Sequence, residues 1–459
     1  MNLRRPIKIK RWSIKTGALF GLCLAVVAAP SPSSAESTVM CNEEIHRVDG
    51  NRSDLWTHMV DKVEPPQQIQ MIAYIFDTDE TGLRLLRHLI DASVRGVRVQ
   101  LLVDGIGPGV SMPINKDLVA AVRQLAPDLE IRVFNPKSRL LRIRKRAHDK
   151  LFLAGNSAMV GSSSIWNASA KGWLIEEDVV LRELTPGRSD VFAQMRSHFQ
   201  LFWQSSYSLE VRPGKGQLQQ AGAQAILRKL QTVPIHTINR LDAAVAYMSG
   251  SDVFCPSLRY YYDQPDKSGD GGTLDGVLQL IDEARQEIII VNPYILLVPE
   301  VRELLKRKVK FGVRVVILTA SIVNLSNEFP PLAKAYANDL PVLARDGFEV
   351  REYLDSSKGK MLHAKVVRVD DRSYFVGSFN FDPLSARHNT ENGIRIDSPA
   401  SRKTRIAEEL DHEISALLKE ATLVADGRGR LVVDDPQRCS QINCRNLLRW
   451  LGPLIRGSL

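Results

Sequence analysis

The chain has 459 residues, 44% of them hydrophobic, which is ample for two cores at roughly 100–200 residues per domain. Its formal net charge is +9, but the first 35 residues hold six basic residues and no acid, so the rest carries 55 basic against 52 acidic residues, or +3. A balance that close to neutral gives no argument for a nucleic-acid partner, and the absence of an 18-residue apolar run after position 35 excludes a helical membrane span in the body of the chain.

The first 35 residues are expected to be an export signal. Arg4, Arg5, Lys8, Lys10, Arg11 and Lys15 form a basic start, and Thr16 to Ala29 is a short apolar stretch. Pro30 and Pro32 break it, and Ser33-Ser34-Ala35 offers small residues for cleavage before Glu36. Leu22 before Cys23 and Met40 before Cys41 are too large for a lipoprotein site. Four cysteines then remain, Cys41, Cys255, Cys439 and Cys444, in a compartment where disulfides persist. Of the three possible pairings, Cys439 with Cys444 closes the simplest loop and leaves Cys41 with Cys255. None of the spacings suits zinc.

Next comes a unit that occurs twice. "IQMIAYIF" (69–76) reads as a strand, "TGLRLLRHLIDASVRG" as a helix closing on Gly96, and "VRVQLLVD" as a second strand. From residue 287, "EIIIVNPYI", "VPEVRELLKRKVKFG" and "VRVVILT" repeat the order, the helix closing on Gly312. Each unit implies neighbouring parallel strands joined by a right-handed crossover. The offsets agree as well: His148 lies 52 residues beyond Gly96, and His363 lies 51 beyond Gly312. Of the nine histidines, only these two have lysine at the second following position. We divide the chain into a signal (1–35), a first half (36–233) and a second half (234–459), with the boundary at Val233-Pro234 after a Gln-rich stretch.

Both His-x-Lys pairs are expected to start strands, where residues i and i+2 share a face. A turn and a return strand follow, "AMVGSSS" and "YFVGSFN", bringing Ser162 and Ser164, or Ser378 and Asn380, back beside the basic pair. Two such sets facing each other would make an anionic-ligand pocket with one imidazole on each side. That suits a phosphodiester: one histidine attacks phosphorus, the other protonates the leaving alcohol and later deprotonates the acceptor, and Lys150 and Lys365 offset charge on the non-bridging oxygens. This chemistry needs neither metal nor cofactor. A carboxylate on each ring would fix its tautomer. Glu391 lies 28 residues past His363 and Glu176 lies 28 past His148, so each is assigned to the histidine of its own half, with Glu177 almost as well placed as Glu176.

The string His363-x-Lys365-x4-Asp370, followed by Gly377-Ser378-x-Asn380, resembles the phospholipase D superfamily signature. "GSFNFDPLSARHNTENG", "YIFDTDETG", "GVRVQLLVD" and "RVFNP" are similar to its cardiolipin-synthase-like, bacterial phosphatidyltransferase branch, over about Gln67 to Ile396. The resemblance implies an α/β fold: a duplicated, two-lobed α/β/α sandwich with the active site between the lobes. It implies transfer through phosphohistidine without metal, using His148, Lys150, His363, Lys365, Asp370, Ser378, Asn380 and Glu391, with His148 as nucleophile. The first motif departs from the pattern at Gly155, which stands where the family has aspartate, and its hairpin is one residue shorter. The aspartate's expected role is structural, in the turn, and Gly155-Asn156 also suits a turn.

The expected function is therefore an exported phosphatidyltransferase or phospholipase D acting on phospholipid at a membrane surface, with cardiolipin as one product. An exported nuclease and a catalytically inactive lipid-binding homologue are the alternatives. The near-neutral charge and the lack of an aromatic-rich basic groove count against nucleic acid. The tail "CRNLLRWLGPLIRGSL" mixes Leu and Trp with Arg, and Gly452-Pro453 breaks any long helix, so packing on its own domain is favoured over a bilayer interface.

Overall fold

The computed structural model describes residues 41–105, 116–136, 145–211, 217–233, 255–267, 271–354 and 359–432. The expected export signal, the start of the second half at Pro234, most of the basic run before His148, Cys439, Cys444 and the tail lie outside the described residues.

The duplication is visible strand by strand. The first half contributes β1 (Glu43–Arg47), β2 (Gln68–Ala73), β3 (Arg98–Asp104), β4 (Glu130–Phe134), β5 (Lys150–Ala154), β6 (Ser157–Gly161), β7 (Leu174–Ile175), β8 (Asp178–Glu183) and β9 (Ser208–Glu210). The second contributes β10 (Ser257–Tyr262), β11 (Glu287–Val291), β12 (Arg314–Ala320), β13 (Glu349–Tyr353), β14 (Met361–Leu362), β15 (Val366–Val369), β16 (Ser373–Gly377), β17 (Asn392–Asp397) and β18 (Thr422–Asp426). Two eight-stranded sheets run β1-β8-β6-β5-β2-β3-β4-β9 and β10-β17-β16-β15-β11-β12-β13-β18, the same order in each half. Three central strands are parallel in each (β2-β3-β4 and β11-β12-β13), and antiparallel returns flank them.

Helices cover the sheets as the apolar periodicity requires. In the helix Glu80–Val94, Leu85, Leu86, Leu89 and Ile90 are buried. The Asp79 carboxylate accepts from Gly82 N–H at 3.0 Å to cap it, and a side chain at Gly82 would collide with the Asp77 carbonyl. Its counterpart Pro299–Lys310 starts on proline, and the chain turns out of it at Gly312 with φ +84°. Alternation along β2 assigns each face: Met71 packs under the outer helices of the first half, whereas Ile72 joins a cluster running through Phe199 and Tyr260 into the second sheet. The two halves thus share a core and belong to one compact unit.

The two halves also exchange main-chain bonds at equivalent places. β7 and β14 pair in parallel, His363 N–H donates to the Ile175 carbonyl at 2.7 Å, and His148 N–H donates to the Thr390 carbonyl at 3.0 Å. This explains a difference from the sequence expectation: both histidines precede their strands, because their N–H groups serve the other half's backbone. β2 and β11 also end earlier than expected, leaving Tyr74 and Tyr294 outside the sheet. Cys41 and Cys255 form a disulfide, each two residues ahead of the first strand of its half. Among the described residues no helix is long and apolar enough to cross a membrane.

Candidate active site

Each His-x-Lys pair sits where β5 or β15 begins, at the end of its sheet that meets the other half. Lysine and histidine fold onto one another: Lys150 Nζ donates to the His148 carbonyl at 2.8 Å and lies 3.2 Å from His148 Nε2, and Lys365 Nζ donates to the His363 carbonyl at 2.6 Å. Both lysines and His148 are buried, as is most of the His363 side chain.

The carboxylates correct the sequence assignment. Glu391 does not serve His363; it binds His148 Nδ1 at 2.8 Å. Glu176 does not serve His148; it binds His363 Nδ1 at 3.0 Å. The cause lies in the backbone exchange. His148 N–H is held by Thr390 and His363 N–H by Ile175, so the next residue of the other half, Glu391 or Glu176, is delivered to the ring. Equal spacing within each repeat could not distinguish pairing within a half from pairing between halves. Glu177 points away, to Arg47 at 2.8 Å, and its burial pushes its carboxyl up to about 7.

Ser378 donates to Glu391 Oε2 at 2.5 Å, and Ser385 donates to Oε1 at 2.5 Å. The first half differs in detail. The Ser162 hydroxyl accepts the Glu177 N–H at 2.9 Å, as Ser378 accepts that of Asn392 at 3.0 Å, and its own donation goes to the Glu177 carbonyl rather than to a carboxylate. Ser163 takes over, donating to Glu176 Oε2 at 2.8 Å. Ser164 lines a cavity of about 30 Å³ together with Tyr74, Lys150 and Ser163. Asn380 is buried with its Oδ1 unpartnered.

Asp370 lies outside this cluster, at the far end of β15. Its carboxylate accepts from the N–H groups of Arg285, Gln286 and Glu287 at 2.7, 2.8 and 2.9 Å, and its backbone has φ +50°. That corrects its place among the catalytic candidates and agrees with the structural role expected for the turn. Gly155 has the same left-handed turn, φ +61°, and a Cβ there would stand 2.8 Å from the Gln67 side-chain oxygen. The residue missing from the first hairpin is absorbed in this remote turn. At the site end the register is unchanged, since Leu151 faces Val160 and Val366 faces Val376, which sets each lysine opposite a glycine, Gly161 or Gly377.

Electrostatics follow from enclosing these groups. Burial, then the charges of Lys150 and Lys365, hold His148 well below its usual range. Burial and Lys365 hold His363 at about 4 despite Glu176. Burial lowers Lys150 to about 8; burial and Lys150 lower Lys365 to about 7. The carboxylates diverge. Burial pushes Glu391 up despite Lys150 and the two serines. Burial also acts upward on Glu176, but the hydrogen bond and charge of His363, with Arg52 and Ser169, bring it below the usual carboxylate range. A site with two close lysines whose charge is disfavoured by burial is suited to receive an anion. Among the described residues no group of His, Cys, Asp or Glu is arranged to hold a metal ion.

Sequence reasoning missed Tyr74, whose ring meets His148 edge-on at 4.5 Å, and Tyr294, at 6.3 Å from His363. The signal was present: both repeats carry Tyr-Ile shortly after the end of β2 or β11, at 74–75 and 294–295. Ser385 was marked too, since Ser-Ala follows the glycine by eight residues in both halves, at 169–170 and 385–386, whereas Ser163 carried no such mark.

Duplicated α/β halves meeting on paired His-x-Lys motifs define the phospholipase D superfamily. Within it, the family described as cardiolipin synthase, PLD-like domain, matches residues 61–203 and 277–418, and the chain belongs to that family, one of phospholipid-modifying enzymes. Cardiolipin synthase C of Escherichia coli K12 is 28% identical over 378 residues, 71% of this chain and 75% of that protein. Cardiolipin synthase B of the same organism is 24% identical over 342 residues, 72% and 71% of the two chains. The crystal structure of phosphatidylserine synthase from Haemophilus influenzae Rd KW20 has the same fold, with a TM-score of 0.63 at 14% identity over 90% of this chain and 94% of that one.

Proposed function

We propose that the protein is an exported phosphatidyltransferase that passes a phosphatidyl group from one phospholipid to the hydroxyl of another through phosphohistidine, with cardiolipin as a product. The observation that carries this reading is the crossed pair of His–Glu contacts around two buried lysines. Glu391 keeps the His148 proton on Nδ1, so the neutral ring offers its Nε2 lone pair to phosphorus. As the P–N bond forms, the P–O bond to the leaving alcohol breaks, and His363 gives that oxygen its proton. The acceptor hydroxyl then returns a proton to His363 and attacks phosphorus, and the P–N bond breaks. The phosphodiester charge raises the proton affinity of His363 and of both lysines, offsetting the depression that burial imposes. The cardiolipin synthases among its relatives support the product, and the Cys41–Cys255 disulfide supports an oxidising compartment outside the cytoplasm.

The deciding experiment incubates the protein, lacking residues 1–35, with labelled phosphatidylglycerol, with and without chelator. Labelled cardiolipin, or phosphatidic acid if water is the acceptor, supports the proposal. Lipid inertness together with cleavage of plasmid DNA would replace it with a nuclease, and no turnover of either would leave a lipid-binding homologue.

A further inference from the structure

The residue between the histidine and lysine of the first motif is Asp149, fully buried; at the same place in the second motif stands Ala364. A buried carboxylate with no counterpart in the repeat calls for partners. One is the Thr390 hydroxyl, which donates to Asp149 Oδ2. The other is His198, in the helix Asp190–Gln204 and also fully buried, whose Nε2 stands 3.3 Å from Asp149 Oδ1, a close polar contact without hydrogen-bond geometry. The other ring nitrogen, Nδ1, meets the Tyr260 hydroxyl at 2.8 Å. Asn392 Nδ2 donates to that hydroxyl at 3.0 Å and to the Lys150 carbonyl at 3.1 Å, while Asn392 Oδ1 accepts from Lys150 N–H at 2.8 Å.

These contacts close a ring. It runs from His148 N–H to Thr390, through Asp149, His198, Tyr260 and Asn392, and back to the Lys150 backbone. Proton bookkeeping gives it a direction. The Tyr260 hydroxyl, accepting from Asn392, has its own proton for His198 Nδ1, so the His198 proton sits on Nε2, facing the carboxylate. The ring grips residues 148–150 on one side and Thr390 and Asn392 on the other. Glu391 lies between those last two and binds His148.

We propose that Asp149, His198 and Tyr260 are positioning residues that hold His148 and Glu391 in register from behind, a brace that the His363–Glu176 pair lacks. The assignment rests on the reading of His148 as the nucleophile. It gives the asymmetry between the halves a purpose: the braced imidazole is the one that must bond to phosphorus and stay in place until the acceptor arrives.

The test is Tyr260→Phe, which keeps the ring and removes one oxygen. Turnover of phosphatidylglycerol in detergent micelles should show kcat lowered on the order of 10- to 100-fold with KM unchanged, the scale expected for a small misplacement of a reacting group. In side-chain spectra of 15N-histidine-labelled protein, the Nδ1 proton that His148 shares with Glu391 should shift, and that of His363 should stay. The proposal is overturned if kcat remains within about twofold and the His148 resonance is unmoved. It is equally overturned if both histidine resonances move together, which is general loosening. If Tyr260→Phe does not fold, Asp149→Asn, of the same size, is read by the same two resonances. If the wild type has no turnover, the reading of the function fails, while the resonances still decide whether the brace exists.

Discussion

The crossing of the carboxylates can be tested through the leaving group. Glu391→Gln keeps the volume of a fully buried side chain; its amide oxygen can take the His148 and Ser378 bonds, and the Ser385 hydroxyl can turn to accept from the amide nitrogen. Only the charge is lost. A hydrogen bond to a charged group contributes about 1.5–3 kcal/mol against about 0.5–1.5 for a neutral one, so the loss is about 1–1.5 kcal/mol, which at 1.36 kcal/mol per decade is roughly a 5- to 13-fold slowing of attack. Glu176→Gln should slow the natural reaction by a similar factor, but through His363, the proposed acid for the leaving alcohol. A phosphatidyl ester of p-nitrophenol separates them, because its phenolate departs without an acid. Stopped-flow release of p-nitrophenol from that ester should be restored to near wild-type rate in Glu176→Gln and remain slow in Glu391→Gln. The opposite pattern, with Glu391→Gln rescued and Glu176→Gln slow, would refute either the crossing or the choice of His148 as nucleophile.

The lysines give a pH signature. Lys365 and Lys150, lowered by burial to about 7 and 8, are charged below those values and neutral above them. Stabilisation of the protein by inorganic phosphate, read as a rise in Tm, should therefore be largest near about pH 6 and fade by about pH 9; a pH-independent shift would show that phosphate binds elsewhere. Asp370→Ala strips the acceptor from three backbone N–H groups and should lower stability by about 1–3 kcal/mol while activity per folded molecule persists. Loss of activity beyond the unfolded fraction would return Asp370 to the site. Reducing Cys41–Cys255 opens a closure spanning 214 residues, and the chain-entropy model puts its loss at about 5 kcal/mol at most, so a melting curve that ignores reductant would refute the pairing.

Much of this was legible in the sequence because the information was periodic. Helical spacing around Leu85, Leu86, Leu89 and Ile90, the closing Gly96 and Gly312, and two His-x-Lys pairs at matched offsets marked the duplicated α/β halves and the residues at their junction. What stayed hidden was the relation between halves. Equal spacings of 28 residues pair Glu176 with His148 as readily as with His363, and only main-chain bonds from His148 to Thr390 and from His363 to Ile175 break the tie. Ser162 shows a finer limit. It aligns with Ser378, yet its hydroxyl stays on the Glu177 backbone while the neighbouring Ser163 reaches Glu176. An alignment position locates a Cα; the side chain's partner depends on what packs around it.

The crossing makes the duplicated chain the smallest unit that can hold an oriented imidazole, since neither half brings a carboxylate to its own histidine. It also allows the halves to diverge without losing the pocket. Transfer through a covalent intermediate requires one ring that is neutral when it attacks and one that gains and loses a proton. Arg52 donates to the Glu176 carbonyl at 2.8 Å and binds Asp178 beside it, so Glu176 is held as a firm anion, suited to supporting the charged form of His363 once a phosphodiester is bound. Glu391 has no such cation against its backbone. Serine hydroxyls hold both carboxylates, but burial raises the proton affinity of Glu391, which suits a carboxylate that leaves His148 neutral until it bonds to phosphorus. A second difference lies beside the motifs themselves, where Asp149 ties the His148 strand to His198 and Ala364 offers no such contact on the His363 strand. Both differences between the halves fit the proposed assignment of roles.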